Sequence, residues 1–223
     1  MAEFKRPDAA LLSEAAEIST ATMHEAGGKI GALPSAIKPA SPEFEVCGPA
    51  YPVSGPAGDN LWLHRAIADA EPGDVLVAYL EDHHEAGYWG EIMSTAAMAR
   101  NLGGLVINAC VRDGAILPGV GFPVFARGYC MRGTGKDFNG KGSLGSALSI
   151  GNILIEPGDL VRGDTDGVVV VPRSRIAEVN QKSKERDAKE TAVMDRLRGG
   201  ETSLEIYGWD RYPGGNSCVT EGF

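Results

Sequence analysis

The sequence has no surplus of positive charge. Lys and Arg total 21 against 30 Asp and Glu in 223 residues, a net charge of −9 with His neutral. Such a chain lacks the basic stripe that neutralises phosphates, which excludes a general nucleic-acid binder, and it lacks a polybasic anchor for an anionic membrane. Cysteine is sparse: Cys47, Cys110, Cys130 and Cys218 show no C-x-x-C spacing, so neither a disulfide framework nor a zinc motif is encoded. No run approaches the roughly 18 apolar residues of a membrane span. Acidic residues interrupt every apolar stretch of MAEFKRPDAALLSEAAEIS, so the N-terminus does not read as a signal peptide. The expectation is a soluble, cytoplasmic protein of a reducing compartment, with neither nucleic acid nor membrane as partner.

What the chain has in excess is glycine, 30 residues, roughly twice the usual share of about 7%. Without a collagen-like period this points to tight turns, or to backbone approaching a ligand. The length suits one compact domain, and no repeat, linker or second composition regime divides residues 1–223. A helix is expected over about Asp8–Ala26, with Gly27-Gly28 as its stop, and others over Asn60–Ala70 and Glu91–Leu102. The glycines and prolines of EVCGPAYPVSG suggest a broken or edge strand. Short apolar strands are expected at 75–80, 105–111, 123–129, 152–155, 160–161 and 167–171, two of them preceded by Pro-Gly-Asp turns. A long polar helix over 174–198 carries (i, i+4) pairs such as Arg186–Glu190 and only a thin apolar stripe, so it lies on the surface or packs on another subunit. The tail from Gly208 reads as loop.

Few segments carry chemistry. The run Asp82-His83-His84-Glu85 offers four metal-ligand types, but consecutive residues rarely converge on one ion, and a solvated loop is the better reading. Gly135–Lys141 matches G-x-x-x-x-G-K, yet Gly142 stands where a nucleotide loop needs Ser or Thr, and no convincing helix follows. A loop presenting one lysine to a small anion is compatible with it. Asp59-Asn60 reads as a helix cap or as a functional pair, and His64 as a packed histidine. Arg112-Asp113 ends an apolar strand, where open α/β sheets place their sites. The pair is either a surface ion pair or a grip on a metal-chelated keto acid, Arg taking carboxylate and Asp a hard cation.

Several stretches together resemble the RraA-like proteins, in particular the class II pyruvate aldolases acting on 4-hydroxy-4-methyl-2-oxoglutarate and 4-carboxy-4-hydroxy-2-oxoadipate. The resemblance spans about Ser19 to Trp209 and rests on TATMHEAGG, GPAYPVSGPAGDN, PGDVLV, GYWGEIM, GGLVINACVRD, GFPVFARG and EPGDLVRGDTDGVVVVP. That family carries Asp, twenty residues, then Arg-Asp; here Glu91 precedes Arg112-Asp113 by the same twenty residues, Ile92 to Val111.

The resemblance implies a single-domain α/β sandwich with a swivelling β/β/α core, assembled as trimers or hexamers with sites between subunits. It implies Mg2+ or Mn2+ held by Asp113, with Glu91 and a neighbouring subunit's Glu190 reaching it through water. Arg112 would bind the pyruvyl group and stabilise an enolate oxygen. The N–H groups of Ile92 and Met93, after Gly90, would hold the C1 carboxylate, and Lys136 the distal part of a small 2-keto acid. Asp59 and Asn60 complete the expected substrate contacts. A water held by Glu91 and Glu190 would take the C4 hydroxyl proton, and the same chemistry would decarboxylate oxaloacetate. The departures are Glu91, one methylene longer than the family's Asp with charge and oxygen donors kept, and the tail, which bears on substrate identity. The competing expectations are a non-catalytic RraA-like regulator of ribonuclease E or an RNA helicase, and a related enolate-forming lyase on another keto acid. No strand–GxGxxG–helix unit for a nucleotide-like cofactor is present.

Overall fold

The valine- and isoleucine-rich runs, each too short to bury itself alone, pair edge to edge in the computed structural model, which describes residues 4–209. The main sheet is built from β1 (Lys38–Pro39), β2 (Val46–Ser54), β3 (Val75–Tyr79), β4 (Gly104–Ile107), β5 (Val124–Ala126) and β6 (Ser143–Leu144). Beyond a small hairpin of β7 (Leu148–Ile150) and β8 (Ile153–Ile155), β9 (Leu160–Asp164) and β10 (Gly167–Val171) rejoin it. The order is β1-β5-β4-β3-β2-β9-β10, with β6 beside the end of β2. Strands β2 to β5 are parallel, and β1, β6, β9 and β10 pair antiparallel. At the two ends of this order, Lys38 Nζ on β1 donates to Asp166 O in the β9–β10 turn at 2.6 Å, so the sheet nearly closes on itself. The expected α/β fold is therefore present, as a mixed sheet of barrel-like curvature.

The parallel strands are joined by α3 (Leu61–Asp69), α4 (Glu91–Ala99) and α5 (Leu117–Val120), each following one strand's C-terminal end. Leu63, Ala66, Ile67, Met93 and Ala97 are the faces these helices bury against Leu76, Val77, Leu105 and Val106 of the sheet's core. A second, smaller core gathers Ala15, Ile18 and Met23 with Leu160, Val169, Ile176 and Val179.

Two local expectations are corrected. The single helix over Asp8–Ala26 is two, α1 (Ala9–Ala16) and α2 (Thr20–Ala26), because Ser19 Oγ accepts from Thr22 N at 3.1 Å and caps a fresh start. The break also frees Ile18 O to accept from buried Arg162 Nε at 3.0 Å. The proline-bearing stretch of β2 is neither broken nor at an edge: residues 46–49 pair with β9 and residues 50–54 with β3. Pro52 is tolerated because its carbonyl, and with it the missing N–H, faces the short β6 side, where Gly145 N donates to Pro52 O at 2.9 Å.

Residues up to 183 form one compact body and those from 184 a second. The polar helix α6 (Ile176–Arg198) follows a 3-10 turn at Arg173–Arg175. Within the second body Arg186 Nε meets Glu190 Oε1 at 2.8 Å, and a capping box of Thr202 and Glu205 starts α7 (Ser203–Tyr207). Residues 210–223 of the tail, Cys218 among them, lie outside the described residues; Cys47, Cys110 and Cys130 are free thiols. Among the described residues no helix is long and apolar enough to cross a membrane.

Candidate active site

The loops that follow β2, β3, β4 and β5 leave the sheet at the same, C-terminal end of the parallel strands, where such sheets gather their ligands. They enclose a cavity of about 360 Å3. Its wall begins with three extended segments bonded side by side. Arg112 N donates to Trp89 O at 2.8 Å, Tyr88 N to Cys110 O at 3.2 Å, Cys130 N to Val111 O at 2.8 Å and Gly87 N to Arg132 O at 2.8 Å. The packing leaves no room for a side chain at Gly87: a Cβ there would meet Cys130 O and come within 2.9 Å of Arg112 Cβ. Trp89, fully buried, stacks on Phe122 and donates from Nε1 to Ser94 Oγ at 2.7 Å, which locks the loop to the first turn of α4.

At this corner the ordered spacing becomes contact. Asp113 sits in the left-handed region, φ 62°, a conformation Asp tolerates better than most residues. There its Oδ2 accepts from Glu91 N at 3.0 Å and lies 3.8 Å from Arg112 Nε. Gly90 is the N-cap of α4 and brings no capping side chain. The N–H groups of Ile92 and Met93, second and third in the helix, are therefore without an intrahelical or side-chain acceptor among the described residues, beside a cavity both residues line. A guanidinium, a carboxylate and a helix N-terminus thus share one wall, an arrangement suited to a carboxylate next to a polarised carbonyl.

A second wall belongs to Asn60, His64, Gly133, Thr134 and Lys136, and meets the first where Asn60 Nδ2 stands 3.4 Å from Met93 Sδ. The Lys136 loop is sewn to the turn after β2: Gly135 N donates to Gly58 O at 2.7 Å, Asn60 N to Gly135 O at 3.4 Å, and Asp137 N to Asp59 Oδ2. Asn60 Nδ2 donates to Tyr88 O at 2.8 Å, while its buried Oδ1 accepts from no group among the described residues. Burial, and next the charge of Lys136, hold the His64 imidazole below its ordinary pKa, with Asp59 opposing.

Gly90, Ile92, Met93, Arg112, Asp113, Asn60 and Lys136 are thus brought together. Glu91 joins through its backbone, and its side chain does not line the cavity. Asp59 is also outside it: Oδ1 accepts from Leu61 N at 2.7 Å and Oδ2 from Asp137 N, the capping and loop-fastening role. Glu190 belongs to the second body. Among the described residues no three His, Cys, Asp or Glu gather at metal-binding spacing. The Asp82–Glu85 run is a loop whose side chains diverge, His83 to Tyr88 OH, His84 to Asn108 O, Asp82 to Tyr79 OH. His64, Tyr88, Trp89 and Thr134 are cavity residues that sequence reasoning does not find. His64 has a signal in its place four residues after Asn60 on one helical face, and Tyr88 and Trp89 lie inside the GYWGEIM segment without a role assigned to them.

A model of the RraA-like family, described as aldolase/RraA, matches residues 9–170, and the chain belongs to that family. A protein of Halalkalibacterium halodurans named "Putative 4-hydroxy-4-methyl-2-oxoglutarate aldolase" is 32% identical over 192 residues, 84% of this chain and 90% of that one. An uncharacterized Pseudomonas syringae protein superposes with a TM-score of 0.77 at 27% identity, covering 89% of this chain and 97% of its own. Streptomyces coelicolor RraAS2, an unusual member of the RNase ES inhibitor RraA family, gives 0.75 at 25% identity, covering 86% and 99%.

Proposed function

We propose that this chain is a divalent-metal-dependent aldolase that cleaves a 4-hydroxy-2-oxo acid and releases pyruvate. The substrate is 4-hydroxy-4-methyl-2-oxoglutarate or 4-carboxy-4-hydroxy-2-oxoadipate, with oxaloacetate decarboxylation as a side activity. The observation that carries the reading is the shared wall of Arg112, Asp113 and the two uncapped N–H groups of α4. Asp113 suits a hard cation. Its Oδ1 has no protein partner among the described residues, and it is the one carboxylate lining the cavity, which leaves most positions to water and substrate as Mg2+ prefers. Mg2+ or Mn2+ would be held by Asp113, with the Glu190 of a neighbouring copy acting through water; the Glu91 side chain, outside the cavity lining, would have to turn inward to join it, and its backbone N–H holds Asp113 in place. A bound cation supplies Lewis-acid polarisation of the keto oxygen.

The chain's own groups do the rest. The Ile92 and Met93 N–H groups bind the C1 carboxylate at the positive end of α4. Lys136 pairs with a distal carboxylate. Cleavage moves the C4 hydroxyl proton to a base, breaks C3–C4 and leaves its electron pair in the pyruvate enolate. Arg112 stabilises the enolate oxygen as that charge develops, where a preorganised donor is worth most. Protonation at C3 gives pyruvate. Expulsion of carbon dioxide from oxaloacetate leaves the same enolate.

The polar α6 fits the same proposal. Its buried residues, Ile176, Val179, Asn180 and Ser183, all lie in its first turns, and charged side chains dominate the remainder, unusual for a helix that covers a core. We read it as packing on a second copy in a homo-oligomer, trimer or hexamer, where Glu190 completes the site.

The likeness to RraAS2 supports a second reading, a regulator that binds ribonuclease E or a helicase without catalysis. The test is pyruvate release from the two hydroxy acids and from oxaloacetate, with Mg2+, with chelator and with Asp113→Ala, alongside a ribonuclease E pull-down. The aldolase reading expects metal-dependent turnover that Asp113→Ala abolishes. Ribonuclease E capture with no turnover on any of the three acids overturns it.

A further inference from the structure

Tyr88 joins the two walls of the cavity, and neither its chemistry nor its neighbours are used in the reaction above. Its ring is fully buried. Its hydroxyl stands 2.7 Å from Gly58 N and 2.7 Å from His83 Nδ1. An N–H can only donate, so Gly58 takes one lone pair of the hydroxyl and the phenolic hydrogen is free for His83. The backbone of the same residue is engaged on both sides, with Tyr88 O accepting from Asn60 Nδ2 at 2.8 Å and Tyr88 N donating to Cys110 O at 3.2 Å.

These bonds run in series from one wall to the other. Tyr88 and Trp89 precede Gly90, the cap of the helix whose N–H groups and Glu91 amide face the Arg112–Asp113 corner. Gly58 O accepts from Gly135 N at 2.7 Å, and the neighbouring Asp59 accepts from Asp137 N, so the bonds on both sides of Lys136 hang from the turn that Tyr88 holds. His83, on the exposed loop after β3, is the hydroxyl's second hydrogen-bond partner and fixes its direction.

We propose that Tyr88 is a positioning residue that sets the separation between the enolate-forming corner and the Lys136 wall, and so selects 2-keto acids with a second, distal carboxylate. This rests on the aldolase reading. A substrate without a distal group uses only the corner and is indifferent to the spacing. A two-carboxylate substrate must meet both walls at once, and small misplacement at the far end lowers the fraction of bound molecules in the reactive geometry.

The experiment compares two reactions of the Mg2+-loaded full chain. One is cleavage of 4-hydroxy-4-methyl-2-oxoglutarate, which needs both walls. The other is exchange of pyruvate methyl protons with D2O, which needs only the corner. Tyr88→Phe is expected to lower kcat/KM for cleavage by about tenfold, the scale of one hydrogen bond, with exchange changed less than about twofold. His83→Ala, a surface change that leaves the ring in place, is expected to shift cleavage in the same direction by less. The double variant Tyr88→Phe/Lys136→Ala is expected to lose no more cleavage than Lys136→Ala alone, because both act through one contact. Amide hydrogen exchange at Gly58 is expected to speed up in Tyr88→Phe. Equal loss in both reactions, additive losses in the double variant, or unchanged cleavage together with unchanged Gly58 exchange overturns the positioning role. A wild-type chain that performs neither reaction overturns the aldolase reading itself, and the two failures are thereby told apart.

Discussion

The backbone N–H of Glu91 donates to Asp113 Oδ2 at 3.0 Å, tying the first residue of α4 to the end of the chain segment that follows β4. Gly90 makes that contact possible: a Cβ at this position would overlap Asp113 Oδ2 and lie 3.2 Å from Arg112 Cγ. The glycine is required by this close approach, since its backbone is extended, φ −164°. Gly90→Ala is therefore expected to push the Asp113 carboxylate out of place and to lower kcat/KM by about a hundredfold, the cost of a misplacement near 1 Å. Steady-state kinetics beside a thermal melt checks this; a lost fold would show as a melt shift, and full activity would contradict the contact.

Arg112→Lys keeps the charge and loses the planar fork. A single point charge does not replace the planar, fixed donors that meet the developing enolate oxygen. The expected loss is about 100- to 1,000-fold in kcat, with unfolding unchanged because the side chain is half-exposed and makes no close ion pair.

His64 reports on the second wall. Its pKa is lowered by burial and then by Lys136, so the neutral ring is the form present at neutral pH. Below the ordinary histidine pKa the unfolded chain binds this proton more readily than the folded one. Its contribution to stability is thus full above about pH 6.5 and is lost as pH falls through the window beneath it. An NMR titration of the His64 ring is expected to give a midpoint below about 6.5. Lys136→Ala is expected to move it upward only in part, because burial is the larger cause. No movement would place Lys136 elsewhere.

The legibility of this molecule in its sequence divides by distance along the chain. Short apolar runs and Pro-Gly-Asp turns are enough to anticipate the strands, because each depends on residues within a few positions. Both such turns close the same way, Glu71 N on Asp74 Oδ2 and Glu156 N on Asp159 Oδ2, each at 2.9 Å. The Glu91 to Arg112-Asp113 spacing is legible only through the resemblance to the RraA-like proteins; it spans α4 and β4, and its two ends meet in the structure. The break at Ser19 rests on a local cap that the sequence does offer, Ser19 Oγ accepting from Thr22 N, but the continuous helical pattern around it hides the stop, and the Arg162 partner that Ile18 O then gains is far away in sequence. So is the central place of β2, where a proline's missing N–H matters only once the neighbouring strand is known. Tyr88 is illegible for the same reason: its partners Gly58 and Cys110 come from loops about 30 and 22 residues away on either side.

The N-terminal end of β3 carries its own prediction. Asp74 is fully buried and takes a bidentate pair from Arg6, Nε and Nη2 each at 2.8 Å, with Glu71 Oε1 a further 3.2 Å from Nη1. Arg6→Ala leaves that carboxylate buried with only the Glu71 amide, and is expected to cost about 3 kcal/mol of stability. Urea unfolding at neutral pH measures it. A change below about 0.5 kcal/mol, the range of ordinary surface substitutions, would show the pair to be unimportant.

The proposed contribution of Glu190 from a neighbouring copy has a direct signature. Glu190→Ala and Asp113→Ala chains, each inactive alone, are expected to regain activity when mixed and allowed to exchange subunits, since some sites then combine an intact Asp113 with an intact Glu190. No regain after exchange has been verified by native mass spectrometry would exclude a shared site.

The central claim is that the corner of Arg112, Asp113 and the α4 N-terminus forms and stabilises the enolate of pyruvate. The most direct measurement follows pyruvate methyl protons by NMR in D2O with the purified chain. Exchange is expected with Mg2+ or Mn2+ present, with its loss on adding chelator and its loss in Asp113→Ala and Arg112→Ala at unchanged fold. Exchange no faster than in protein-free buffer, or exchange that survives both substitutions, would contradict it.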